Sequence, residues 1–552
     1  MRTGSRTTDR WLVLAGSAGL AVSLLLYRSA FPQAAVRLEV TRPEAVAAAR
    51  AFLERQGADL SAYREAVQFG GDDSALVFLQ RTIGLDSASR WARDRVPIWA
   101  WHVRWFRPGQ KEEWRVAVGV EGRVEAFQHV VPEAAAGADL SQDSAQVLAE
   151  HFLTGLGRRL ADFDRVEASS QRRDKRTDHH FAWEQHGTRI PWAAAADSQA
   201  GGTGAIRLAV DVQGDVIGGY QHFLKVPDAF ARELHGTMSV GSLLALGALG
   251  LTFVLVLAAL GIAIARYRRD DIRWRPAFGL AGLVAGLVLL QGALSWPAAK
   301  YGYSTLVPWG AYLGILGVSL LFGAAVYGLW ALFPTAAGES LGREMFPASL
   351  AGFVEAARGR LRSPELARAS WRGYAMGFAF LGYLTLFYLV ARRYFGAWLP
   401  AEGPFSGIFN MDLPFLAPLV IGLVAAITEE TTYRLLGISL VKRYTGSTAL
   451  ALLVPAMIWA FGHSSYEVFP VYLRGIELTI GGILFGLAFL RWGLVVCIVA
   501  HFVIDAVQIG MPLLGSGNVT YIVSGVIVMG IALLPALLGW LAGRRTPQAG
   551  ET

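Results

Sequence analysis

From Ser239 to Trp540 the chain is a succession of apolar runs, each about twenty residues long, separated by short loops rich in arginine. Wound as a helix at about 1.5 Å per residue, such a run matches the ~30 Å hydrocarbon core of a bilayer. Lipid offers no hydrogen bonds, so a continuous apolar run that crosses it must satisfy its backbone internally, as a helix. The runs fall near residues 239–265, 277–296, 309–333, 373–391, 414–440, 448–465, 473–490, 493–511 and 519–541. Another, Trp11 to Tyr27, follows Arg2, Arg6 and Arg10 and lacks a convincing small-residue cleavage site. Residues 1–30 therefore read as an uncleaved signal anchor, a cleaved signal peptide being the other reading. The expectation is a mainly α polytopic membrane protein with about ten transmembrane helices.

Charge orients those helices. Arg266, Arg268, Arg269, Arg273 and Arg275 follow the second run, and Arg343, Arg358, Arg360, Arg362, Arg368 and Arg372 the fourth. Lys442 and Arg443 follow the sixth, Arg491 the eighth, and Arg544 and Arg545 the tenth. All lie on the cytoplasmic side if the N-terminus does, as the positive-inside rule requires, and Arg392 and Arg393 are the exception. This places both termini in the cytoplasm and residues 31–237 outside it, in the cell membrane. The net charge of +7 comes largely from these loops. With no interleaved basic and aromatic stripe, nucleic acid is not an expected partner. The single cysteine, Cys497, rules out an intramolecular disulfide and a cysteine-based metal site.

Residues 31–237 are polar and broken by turn signals, which marks a soluble domain. Its sequence repeats. Ala51-Phe52-Leu53, Gly57, Leu60 and Tyr63 recur as His151-Phe152-Leu153, Gly157, Leu160 and Phe163. Trp99-Ala100-Trp101 recurs as Phe181-Ala182-Trp183, and Arg115 to Val118 as Arg207 to Val210. Gln128-His129 recurs as Gln221-His222. Each copy, about 40–135 and 140–230, opens with an amphipathic helical pattern and ends in alternating strands about a glycine turn. The expectation is an extracytoplasmic α+β domain of two repeated modules, its glycines and aromatics serving turns and core. Membrane spans two to four then occupy 238–372. Within that stretch Phe346, Leu350, Phe353, Val354, Ala357 and Leu361 share a helical face, which suits a helix lying at the cytoplasmic surface or an ordinary connecting helix.

Against this apolar background the ionisable groups stand out. Glu429 and Glu430 sit side by side in the run from Pro414 to Leu440, with Arg434 one turn on. Charges at bilayer depth cost several kcal/mol each, and two adjacent carboxylates cannot both ionise cheaply. Of the ten histidines only His463 and His501 fall in expected spans, and Asp505 lies one helical turn from His501. Glu430 lies roughly 18 Å from the end marked by Lys442, His463 about 22 Å along its span and His501 about 12 Å along its own. These groups can meet in one layer, where paired carboxylates and histidines can activate water and stabilise an oxyanion. Taken singly, each histidine reads as an interhelical hydrogen bond and Arg434 as a snorkelling side chain. Taken together, they point to one site.

Glu429-Glu430-x-x-x-Arg434, then Trp459-x-x-x-His463, then His501-x-x-x-Asp505, on separate spans in this order, resembles the CAAX-processing and bacteriocin-processing family of intramembrane endopeptidases, which includes the type II prenyl-protein endopeptidase. The resemblance covers about 370–541, within an expected protease domain at 373–545. It implies that Glu429 and His463 bind and deprotonate the attacking water, that Glu430 and Arg434 support them, and that His501 with residue 505 forms the oxyanion hole. It implies no cofactor. Its substrate would be a membrane-embedded or lipidated polypeptide reached from the cytoplasmic half of the bilayer. Two positions depart from the commonest pattern. Trp459 replaces phenylalanine, which should keep the packing role, and Asp505 replaces asparagine. An ionised aspartate cannot donate to an oxyanion, so Asp505 must be protonated or must orient His501 by accepting its ring proton, the role favoured here.

Other chemistries use the same groups. Glutamate, two histidines and an aspartate could ligate zinc with water in an open position, although no His-Glu-x-x-His signature exists and Arg434 lessens the need for a further cation. A non-catalytic scaffold or sensor would use the duplicated outer domain as its binding module. A proton-coupled transporter would also bury carboxylates, but no inverted repeat marks the membrane half.

Overall fold

The computed structural model describes residues 6–193, 201–399, 406–466 and 468–543. Arg2, Arg544 and Arg545 lie outside the described residues. The chain opens with α1 (Arg6–Ala30), a long apolar helix, and then builds a sheet domain. Its first half is α2 (Arg42–Arg55), β1 (Arg64–Gly71), α3 (Asp73–Ile83), α4 (Leu85–Asp94), β2 (Trp99–Phe106), β3 (Glu113–Gly119) and β4 (Val124–Val130). Its second half is α5 (Gln142–Gly155), β5 (Phe163–Arg172), β6 (Thr177–Gln185), β7 (Ile190–Ala193), β8 (Gly201–Gln213) and β9 (Val216–Lys225).

Local sequence sets these elements. The helix α2 starts at a capping box in which Thr41 and Glu44 satisfy each other's backbone ends, and Ser141 caps α5 by accepting from Ser144 N. Strand alternation sends Trp101, Val116, Val118, Phe127 and Tyr220 to one face, where Phe52 and Phe152 of the two helices meet them. The repeated aromatic triplets lie on β2 and β6, and the repeated Arg-x-Ala-Val segments on β3 and β8. The two halves do not stand apart. They join in one antiparallel sheet ordered β1-β2-β3-β4-β9-β8-β6-β5, with β7 on β8 and the seam at β4–β9, where Phe127 faces Tyr220.

Beyond the sheet the chain is helical. It runs through α6 (Asp228–Tyr267), α7 (Trp274–Leu294), α8 (Trp296–Tyr301), α9 (Trp309–Met345), α10 (Ala351–Ala357) and α11 (Pro364–Phe395). Then come α12 (Leu416–Glu429), a π-helical stretch at Glu430–Ile438, α13 (Ser439–Thr445), α14 (Thr448–Gly462), α15 (Tyr472–Trp492), α16 (Leu494–Gly515) and α17 (Val519–Gly543). Among the described residues eight helices are long and apolar enough to cross a membrane, and Thr448–Gly462 and Val519–Leu533 are shorter apolar helices. The surface helix expected near 346–361 is a short turn at Pro347–Leu350 followed by α10, with Leu350 and Phe353 buried in the bundle and Leu361 exposed.

The sheet domain sits on one end of the bundle. Arg104 donates to Tyr301 O at the end of α8 and to Tyr303 O just after it, at 2.8 and 2.6 Å. Gln80 donates to Leu399 O after α11, Arg42 to Asn410 O before α12, and Leu38 N to Ser516 O after α16. The basic loops cluster at the opposite end, where Arg266 pairs with Asp271 and Glu344, and Arg443 with Glu344. The arginine exception has a local cause. The helices α1 and α11 run parallel, clamped at one end by a bidentate Arg372–Asp9 pair at 2.9 and 2.8 Å. At the other end Arg392 donates to Ser29 O and Ala30 O, satisfying the last carbonyls of α1.

Between those clamps the backbones nearly touch, and a Cβ built at Gly16 would lie 2.6 Å from Ala375 O. Gly16→Leu should therefore force α1 off α11, destabilising the protein by about 1–3 kcal/mol through overpacking. Thermal unfolding of the purified protein should show a lowered Tm, and an unchanged Tm would refute the close packing.

Candidate active site

The six residues singled out in the sequence converge. Glu429 ends α12 and Glu430 opens the π-helical stretch, His463 follows the last turn of α14, and His501 and Asp505 lie on α16. A π stretch widens the turn and is frequent at functional sites. Here threonine hydroxyls line its start: those of Thr428, Thr431 and Thr432 donate to carbonyls one turn back, and Thr432 also accepts from Trp330 of α9. The small side chains at this turn thus bond locally and let α9 approach.

Glu430 is fully buried. Its Oε1 accepts from Arg434 Nη1 at 3.0 Å and from His501 Nδ1 at 2.7 Å. The Arg434 guanidinium lies against two aromatic rings, 4.2 Å from the centroid of Trp459 and 5.0 Å from that of Phe485. Glu429 is the reachable acid, with 19% of its side chain exposed. Its Oε2 accepts from the Trp459 indole N–H, and its Oε1 lies 3.9 Å from His463 Nε2. His463 Nδ1 is 2.8 Å from Trp459 O. A carbonyl can only accept, so Nδ1 carries the proton and Nε2 presents a lone pair toward Glu429. His501 Nε2 lies 3.7 Å from Glu429 Oε2 and 3.5 Å from Asp505 Oδ2. The hydrogen bond that orients His501 is therefore to Glu430, and Asp505 faces the other ring nitrogen.

These groups line a cavity of about 100 Å³, room for roughly three waters. Two of its wall residues escaped sequence reasoning. Arg474 and Glu477 of α15 form a buried pair, Nη1 lying 3.0 and 2.8 Å from the two carboxylate oxygens, and Tyr388 of α11 donates to Glu477 at 2.5 Å. Their signal was an Arg-x-x-Glu spacing at the start of an expected span, which places both on one helical face.

From the cluster the cavity extends toward the sheet-domain end of the bundle. Beyond the clustered acids and histidines it is walled by Ile421 and Ala425 of α12, which precede Glu429 by two turns and one, by Gln508 of α16, and by Tyr466 and Arg474 beside the α14–α15 loop. All lie on the side of the bundle that carries the sheet domain. Toward Lys442, Arg434, Trp459 and Phe485 pack together and close it. Among the described residues no group of three or more histidine, cysteine, aspartate or glutamate side chains is placed to hold a metal ion.

Residues 411–507 match the family model described as Type II CAAX prenyl endopeptidase Rce1-like, the segment that holds all six residues. Among curated proteins the chain is similar to the Sporulation-killing factor biosynthesis protein SkfC of Bacillus subtilis (strain 168), with 30% identity over 106 residues. That alignment covers 19% of this chain and 21% of the relative, so the chain spans about a fifth of the curated relative's length. No solved structure matches. The resemblance carried by the three motifs thus coincides with the segment that is similar to the Rce1-like family model, and the helices around it are apolar enough to lie in a membrane.

Removing the buried acid's cationic partner and neutralising the reachable acid should have different effects. Arg434→Ala leaves a buried Glu430 charge without its partner, an effect of about 3–5 kcal/mol. Glu429→Gln keeps an acceptor for Trp459 and should change stability by less than about 1 kcal/mol. Thermal unfolding of both variants beside the parent checks this, and equal losses would refute the division between a structural and a reachable carboxylate.

Proposed function

We propose that the chain is an intramembrane endopeptidase that hydrolyses peptide bonds of a membrane-associated or lipidated polypeptide, with both termini cytoplasmic and the sheet domain, read as a pair of fused repeats, outside the cell. The observation that carries this reading is the 3.9 Å gap between Glu429 Oε1 and His463 Nε2 at the wall of a cavity. It is too wide for a direct hydrogen bond and suits one bridging water.

In this mechanism the water donates one hydrogen to Glu429 and the other to the lone pair of His463 Nε2. Glu429 takes the proton as oxygen attacks the scissile carbonyl, and the C–O bond forms while the carbonyl becomes an oxyanion. His501 faces that position with Nε2, its Nδ1–H anchored on Glu430, and donates to the oxyanion. Collapse breaks the C–N bond, and the proton held by Glu429 passes to the leaving amine. Glu430 and Arg434 hold His501 and the π-helical turn in register. Asp505 supports the charge on His501 from 3.5 Å rather than donating to the oxyanion itself. No metal is needed for any step.

Comparative proteomics of membranes carrying the parent and Glu429→Gln should reveal a polypeptide that accumulates only with the variant. With that polypeptide as substrate, Glu429→Gln and His463→Ala should each lower turnover by at least ~10²-fold while leaving the fold intact. Undiminished turnover or an unchanged membrane proteome would leave the chain a scaffold. Strong chelation should not affect hydrolysis; loss of activity that zinc restores would instead establish the metal-dependent reading.

A further inference from the structure

A second cavity, about 470 Å³, lies between the sheet and the bundle, directly beside the loop that roofs the catalytic cavity. One wall is the face of the sheet turned away from α2 and α5. There the register sets His102 opposite Ala117, Ala117 opposite Ala126, and Ala126 opposite Gln221, a row across four strands whose small centre leaves depth. The His102 side chain lines this space, half-buried, and makes no hydrogen bond among the described residues; burial lowers its pKa from the ordinary histidine value. Gln221 adds an amide with both donor and acceptor.

The opposite wall includes Phe469, which belongs to the connection between α14 and α15. Its ring stacks on Trp398 at 4.0 Å, and its backbone pairs with that of Trp398 at 3.0 and 3.1 Å. Arg81 of α3 lies over the other ring of this stack, 5.7 Å from the Trp398 centroid. The same connection begins at His463 and leads into Arg474, both in the wall of the catalytic cavity. One short loop therefore separates the two cavities, and the catalytic cavity extends toward it.

We propose that this chamber binds an extended segment of the substrate polypeptide on the sheet-domain side and passes it beyond Phe469 and Tyr466 to the catalytic water. The inference rests on the peptidase reading and adds the route and the recognition site. Its volume is within the ~300–1,000 Å³ range of binding sites. Its lining sets alanine methyls beside imidazole and amide groups and the carboxylates of Asp72, Asp73 and Glu125, which gives an extended peptide both apolar contacts for side chains and partners for its backbone N–H and C=O groups. It also gives the sheet domain a task beside the chemistry: holding the part of the substrate that protrudes from lipid.

The test uses the full-length protein and the membrane polypeptide that accumulates with Glu429→Gln. Ala117→Trp fills the chamber from the sheet face opposite the core. It should raise KM for the full-length polypeptide roughly tenfold relative to KM for a hexapeptide spanning the cleavage site, with kcat unchanged, because a remote contact is lost equally from the ground state and the transition state. In a Glu429→Gln background, Ala126→Cys should react with a maleimide, and bound polypeptide should slow that reaction; the native Cys497 is buried and does not compete. An unchanged KM ratio, or labelling of Ala126→Cys unaffected by polypeptide, overturns the chamber while leaving the peptidase standing. If Ala117→Trp fails to fold, the labelling result alone decides. Absence of any Glu429-dependent product defeats the peptidase reading and the chamber with it.

Discussion

One oxygen of Glu430 binds Arg434 and His501 together, in a side chain with no solvent exposure. Without that carboxylate, a guanidinium would lie uncompensated in the bundle and His501 would lose the hydrogen bond that fixes its ring. The rest of the site follows from this anchor. Arg434 is held where Trp459 and Phe485 can flank it, which closes the cluster toward Lys442. His501 is held with Nε2 toward Glu429 and Asp505. Neighbours in sequence, Glu429 and Glu430 thus divide the work. The buried acid fixes geometry, and the partly exposed one is left to meet water.

The separation explains how much the chain could disclose. Charges in an apolar run are conspicuous because lipid makes them costly, so Glu429, Glu430, Arg434, His463, His501 and Asp505 were all legible from position alone. Their convergence was suggested by depth along each helix, which depends only on rise per residue. What depth cannot give is direction around the helix. The π-helical turn at Glu430–Ile438 has no period of its own in the sequence, so the orientation of His501 toward Glu430 rather than Asp505 was hidden. Arg474 and Glu477 were missed because an arginine near a span's end reads as snorkelling, whereas here it turns inward to a fully buried carboxylate.

The sheet domain shows the same limit at larger scale. Repeated residues revealed two similar halves, and strand alternation showed which positions are buried. Whether the halves make separate sheets depends on the pairing of β4 with β9, a non-local contact with no sequence signature. Likewise, arginine counts placed the basic loops on one side, but only tertiary contacts at Tyr301, Leu399, Asn410 and Ser516 show that the sheet is seated on the opposite ends of the same helices. The seating matters for chemistry. It brings folded protein, rather than open solvent, to the mouth of the catalytic cavity, so access is a property of both parts.

Trp459 draws these strands together. Read as a substitute for phenylalanine, it needed only to fill space, and its ring does pack on Arg434. Its indole also supplies what phenylalanine lacks, an N–H donated to Glu429 Oε2, while its carbonyl accepts from His463 Nδ1. A single residue thus fixes the carboxylate and the imidazole on either side of the gap proposed for water. The donated hydrogen bond is one that only an indole, not a phenyl ring, can supply to this carboxylate. This donor is a physical reason for tryptophan here: it ties the Glu429 carboxylate to α14, the helix that also carries His463 to the cavity wall.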